Sequence, residues 1–188
     1  TFLQLMLGSA WGPFQPETAM SSFNQATLTN YVPVIETVGV ATVQNFLKEE
    51  VRGALLNELK QYRLIPEPEE YGQYRVKQAL RSVSAFQDGS LFLEVGDELE
   101  TWLNTELSEG LPQHLSEPLQ FSVPVVQRYE VGPIGVSTHR DGKSFINLIA
   151  IFVLEGTGRF CVCDDREGSN PRLVRNEPGD LLLMRGPG

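Results

Sequence analysis

With 188 residues, 41% hydrophobic and 21% charged, the chain is sized and composed for one globular domain with a sizeable core. Its formal charge of -9, with no Lys/Arg cluster, disfavours a nucleic-acid partner gripped by its phosphate backbone. No apolar run is long enough to span a membrane, and two cysteines are too few for a disulfide scaffold, which points to a reducing, cytoplasmic setting.

Residues 1–30 are weakly patterned, and Gly12-Pro13 and Pro16 interrupt any helix, so this stretch is expected to be a loosely packing tail or linker. Thr1 to Leu7 is apolar but short and has no basic flank, which argues against a signal peptide. Residues 31–118 are expected to supply strands and helices that buttress a core. Val32 to Val43 is rich in β-branched residues and broken at Gly39, predicting one or two short strands. Asn45 is a candidate helix cap, and Leu47, Val51, Ala54, Leu55 and Leu59 recur at helical spacing, predicting an amphipathic helix over 47–61. Pro66 and Pro68 close that region, and Gln73 to Ser84 reads equally as helix or strand. Gly96 to Leu107, with Leu99, Trp102 and Leu103 on one side, predicts a second helix, stopped by Gly110 and Pro112.

Residues 119–188 change character. Short β-type runs follow one another at Phe121–Val131, Gly135–His139, Phe145–Leu154, Gly158–Cys163, Arg172–Val174 and Asp180–Arg185, with Gly-, Asn- and Pro-containing turns between them. Helices first and closely spaced strands afterwards predict a mainly β fold with N-terminal helices, a β-sandwich or jelly roll with a helical buttress. Cys161 and Cys163 lie in one of these runs, and a C-x-C without partner cysteines reads as core packing.

Tyr129 to Asp141, Y-E-V-G-P-I-G-V-S-T-H-R-D, is the stretch that carries chemistry. On a strand, His139 and Asp141 at i and i+2 point to one face. An imidazole and a carboxylate so placed are two of the three donors of the 2-His-1-carboxylate set that holds non-haem Fe(II). H-R-D also occurs in protein kinases, but their Asn stands five residues after the Asp and here Asn147 stands six after Asp141. No glycine-rich loop, D-F-G or A-P-E accompanies it.

Tyr129 ten residues before His139, the apolar run Phe145–Leu154, and Pro178-Gly179-Asp180-Leu-Leu-Leu together resemble the 2-oxoglutarate and Fe(II)-dependent dioxygenases, most closely the prolyl-hydroxylase-like branch. The resemblance covers roughly residues 35–188 and is strongest over 121–185. It implies a double-stranded β-helix (jelly roll, cupin-like) with Fe(II) on His139 and Asp141, and 2-oxoglutarate as cosubstrate. It gives Tyr129 the role of a pocket tyrosine that places cosubstrate or substrate; the plain alternative is a half-buried strand aromatic. Asn147, Ile149, Ile151 and Val153 alternate onto one strand face, expected to line the pocket. Asn147, its polar member, either contacts the cosubstrate or sits at the solvent end.

The departures from that family are as informative. Its third ligand is a later histidine, and a basic residue further on holds the cosubstrate. The only other histidine here, His114, precedes the motif, and Arg185, the last basic residue, is not assigned the family's role. Opening on Thr1 and ending at Gly188 just after a strand-like run, the chain reads as a fragment stopped before the final strands of the jelly roll, so it is expected to bind Fe(II) weakly and turn over no 2-oxoglutarate. The substrate class so implied is a small molecule or a protein side chain, hydroxylated at C–H. The rival is a non-catalytic jelly-roll binding or assembly module that retains a partial metal site.

Overall fold

A computed structural model describes residues 1–8, 21–108, 118–122, 124–132, 135–141 and 148–186. The frame is a seven-stranded antiparallel sheet built from β1 (Phe2–Gly8), β2 (Val40–Val43), β3 (Ile65–Pro66), β6 (Leu80–Val83), β7 (Val125–Tyr129), β8 (Leu148–Glu155) and β11 (Leu181–Arg185), in the order β2-β11-β8-β1-β7-β6-β3. Two small antiparallel pairs stand apart from it: β4 (Glu70–Tyr71) with β5 (Val76–Lys77), and β9 (Phe160–Val162) with β10 (Arg172–Val174).

Both faces of the sheet are covered, which explains why β8 is an unbroken apolar run: all of its residues except Glu155 are buried. Strand alternation divides them. Ala150, Phe152 and Leu154 join Leu5, Leu7, Leu181 and Leu183 on the face covered by α2 (Glu49–Leu59) and α3 (Leu91–Ser108), through Leu55, Leu59, Phe92, Leu99 and Leu103. Ile149, Ile151 and Val153 join Phe2, Val40 and Leu182 on the other face, against Phe160 and Val162 of β9 and Val174 of β10. The expected helical buttress is therefore present on one side, and the pocket-lining face predicted for Ile149, Ile151 and Val153 is an interior face on the other. A mainly β chain with one large antiparallel sheet and three helices among the described residues follows.

Several local expectations are corrected. Phe2–Gly8, read as part of a loose tail, is instead a central strand paired on both edges, because alternation sends Leu3, Leu5 and Leu7 into the helix-side core and Phe2 into the other. Val32–Val38, read as strand, is the short helix α1: Pro33 occupies its first turn, where the missing N–H costs nothing, and Gly39 ends it at φ 93°. Lys48 rather than Asn45 precedes α2; Asn45 sits in a left-handed turn at φ 50°. The helix predicted from Gly96 starts earlier, where the Ser90 hydroxyl oxygen accepts the Phe92 N–H. Gln73–Ser84 resolves to β5 and β6.

The Pro178-Gly179-Asp180 turn proves to be a latch. Asp180 is 1% exposed, and its carboxylate accepts the N–H of Asn45 at 2.8 Å, the N–H of Glu177 at 3.0 Å and Nε of Arg175 at 3.1 Å. Gly179, at φ 92°, donates its N–H to the Val153 carbonyl, and its own carbonyl accepts the Leu47 N–H. The buried, satisfied carboxylate and the backbone of Gly179 and Asp180 thus tie β8, β11 and the entry to α2 together.

Candidate functional site

Sheet pairing brings the site's parts together from far apart in sequence. Strand β6 pairs with β7, setting Leu80 opposite Tyr129. Just before β6, the chain runs alongside residues 135–137: Ala79 N–H donates to the Gly135 carbonyl at 2.8 Å, Ser137 N–H donates to the Lys77 carbonyl at 2.8 Å, and Lys77 N–H donates to Ser137 Oγ at 3.0 Å. The predicted strand Gly135–His139 is reduced to one bridge, Gln78 to Val136, and His139-Arg140-Asp141 follows as irregular chain. The two side chains nevertheless converge. His139 Nε2 stands 3.6 Å from Asp141 Oδ1, both partly buried.

His139 is also oriented from behind. Its Nδ1 lies 2.8 Å from the Ser137 carbonyl. A carbonyl only accepts, so Nδ1 carries the proton, and Nε2 of the neutral ring presents its lone pair toward Asp141. A backbone carbonyl on the far nitrogen is the usual outer support of a metal-binding imidazole. The Asp141 carboxylate raises the His139 pKa above the ordinary 6.5, assisted by the Ser137 carbonyl and opposed by burial and by the Arg166 charge.

Tyr129 closes β7 on the interior face, its ring tilted against Phe2 at 6.1 Å between centroids. Its hydroxyl donates to Gln127 Oε1 at 3.1 Å, and Gln4 Nε2 donates to the same oxygen at 2.8 Å. Sequence reasoning missed this pair of glutamines; the visible signal was a polar residue interrupting each of two apolar strands, at Gln4 and Gln127. With Gln4 also serving that oxygen, the Tyr129 proton can turn to an incoming carboxylate without leaving Gln127 Oε1 unpaired. Burial chiefly, then the nearby Tyr71 and Asp141, push the Tyr129 phenol well above its ordinary range, so it remains protonated. Burial and Asp141 raise Tyr71 likewise. Tyr71 and Arg166 therefore stand near enough to influence Tyr129 and His139 electrostatically, although no motif marks them.

The remaining candidates are distributed as follows. Asn147 and His114 lie outside the described residues. Arg185 closes β11, donating to the Glu36 carbonyl at 3.0 Å at the opposite end of the sheet order from β7. Cys161 and Cys163 are free, partly buried thiols. A groove of about 360 Å³ between α1, β2 and β10, lined by Val38, Thr42 and Leu173, is also at that far edge. It is largely apolar, whereas the convergent donors stand at His139 and Asp141, which makes that pair the candidate site.

An expected result tests the pairing. In the protein without metal, His139 should titrate above 6.5 by NMR, and Asp141→Asn should bring it down. The sign for stability follows: a raised folded-state pKa means the His139–Asp141 contact stabilises fully below the ordinary imidazole value and is lost as pH rises through the raised one. An unchanged His139 titration in Asp141→Asn would show that the 3.6 Å contact does not persist in solution.

No family model, no curated protein and no solved structure matches the chain. No helix among the described residues is long and apolar enough to cross a membrane.

Proposed function

We propose that this chain carries the core of a 2-oxoglutarate- and Fe(II)-dependent dioxygenase that hydroxylates a C–H bond of a small molecule or protein side chain, on a double-stranded β-helix. The observation that carries this reading is the convergence of His139 Nε2 and Asp141 Oδ1, 3.6 Å apart, beside Tyr129 on the interior sheet face. The covering of that face by β9 and β10 supports the two-layered architecture.

The donor set fits Fe(II) in part. A neutral imidazole with its outer nitrogen already engaged and a hard carboxylate are the mixed ligands that ion takes. No group of three or more His, Cys, Asp or Glu suited to a metal ion occurs among the described residues, so a third protein donor must come from outside them. When bound, Fe(II) with 2-oxoglutarate would couple oxidative decarboxylation to C–H hydroxylation. The chain's own residues do the rest. His139 and Asp141 would hold the ion, and Tyr129 would offer a phenolic proton to a carboxylate.

The second reading, a non-catalytic binding or assembly module, is favoured by one observation: Tyr129 donates its proton to Gln127 within the sheet, as a purely structural tyrosine would. Anaerobic Fe(II) titration of the protein and of His139→Ala, with succinate followed from 2-oxoglutarate, separates the two. The dioxygenase reading expects Fe(II) binding that depends on His139. Identical titrations for both proteins, with no succinate, would select the module.

A further inference from the structure

The turn between β9 and β10 is held rigid by its own side chains. Asp164 takes Asn170 Nδ2 at 2.9 Å and Arg172 at 3.0 Å, and Asp165 takes the Ser169 N–H at 2.9 Å. The turn also rests on the H-x-D segment: at Gly168, φ 85°, an added Cβ would meet Thr138 Oγ1 at 3.2 Å. Gly168 therefore passes close to Thr138, one residue before His139.

Arg166 stands at the tip of this turn, its guanidinium carbon 4.1 Å from the centre of the Tyr74 ring. Tyr74 is 62% exposed and comes from the bend between β4 and β5, whose first strand carries Tyr71. Two separate turns therefore meet near the H-x-D segment, one bringing an arginine and the other two phenols. Arg166 forms no ion pair among the described residues. Its acidic neighbours Asp164 and Asp165 are engaged within the turn, and Glu167 is exposed beside it. In a chain of net charge -9, a guanidinium stacked on an aromatic ring, without an ion pair among the described residues and near enough to His139 to oppose its protonation, is a local exception. Its planar fork suits a carboxylate, and its stacking on an aromatic face leaves the N–H edges free to donate. Tyr129 packs on the interior sheet face, whereas Arg166 stands on a surface turn, so a group held by Arg166 is not the one Tyr129 would meet.

We propose that Arg166, stacked on Tyr74, binds a carboxylate of the substrate beside the His139–Asp141 pair, making the substrate an organic acid or a chain carrying an acidic group. This rests on the reading of His139 and Asp141 as the reacting centre. Only the carboxylate site itself is independent of it.

The test uses glutarate, which lacks a 2-oxo group, titrated calorimetrically into the protein without metal. Arg166→Gln should weaken glutarate at least about tenfold, as expected when a charge-assisted bidentate pair is lost. Arg166→Lys should recover part of the affinity, and Arg63→Gln, an exposed arginine beyond α2, should leave it unchanged. The neutral diamide of glutarate should not bind. Equal glutarate affinity in wild type and Arg166→Gln overturns the proposal. So does an Arg166 effect confined to 2-oxoglutarate titrated with Mn(II), since the carboxylate would then be the cosubstrate's. Arg166-dependent glutarate binding alongside Fe(II) titrations indifferent to His139→Ala would sink the dioxygenase reading and leave the carboxylate site standing.

Discussion

His139→Ala is expected to lower Fe(II) affinity by at least about tenfold while leaving the thermal midpoint nearly unchanged, because even outer-shell partners of a metal site are worth that much. The physical basis is separability. The His139 imidazole contacts the Ser137 carbonyl and the Asp141 carboxylate and is partly exposed, so its removal strips little buried apolar packing. With two protein donors among the described residues, the informative quantity is the ratio between wild type and variant. Asp141→Ala should produce a loss of similar size, and the double variant should lose less than the product, since both act on one ion. Because binding needs the neutral ring, affinity should fall as pH drops through the raised His139 value, beginning above 6.5. Anaerobic titrations at three pH values read both effects. A wild-type affinity matched by both single variants would remove the metal reading.

How far the site could be read from sequence follows from the distances along the chain. His139 and Asp141 are near neighbours, and their convergence was legible from spacing even though the strand assumed to carry them shrinks to a bridge. Tyr71, Gln4 and Arg166 reach the same region through pairings with long sequence separation, β4 with β5, β1 with β7, and the β9–β10 turn on Thr138. No local pattern encodes such meetings. The fold divides in the same way. Helices α2 and α3 and the doubly covered β8 declare themselves through periodicity or an unbroken apolar run. Helix α1 is disguised by Val32, Val34, Ile35, Thr37 and Val38, whose β-type preference is outweighed by Pro33 in its first turn and Gly39 past its end. The P-G-D turn carried weight as a family resemblance, and its geometry gives it a structural reason to exist in Asp180.

Leu5→Ala is expected to cost about 2–5 kcal/mol of stability, the range for truncating a fully buried leucine. A tail residue would cost no more than about 0.5 kcal/mol, so this one substitution separates the two readings of residues 1–30. Leu5 is 0% exposed, opposite Val126 on one side and Phe152 on the other, in a strand hydrogen-bonded along both edges. Its side chain lies in the helix-side core with Phe152, which stacks on Phe23 at 5.6 Å, while Phe23 stacks on Phe46 at 4.7 Å. Such an array of flat rings is poorly placed to slump into a vacated leucine volume, which favours the upper part of the range. Against a total stability of about 5–15 kcal/mol, that loss is a large fraction. It should lower the urea midpoint without changing the slope, because the surface exposed on unfolding is almost the same. Met6→Ala, on the opposite face and only partly buried, should cost less. If both substitutions leave the midpoint within error of wild type, β1 is not the central strand of the sheet in solution, and the Gln4–Gln127–Tyr129 chain that depends on it falls as well.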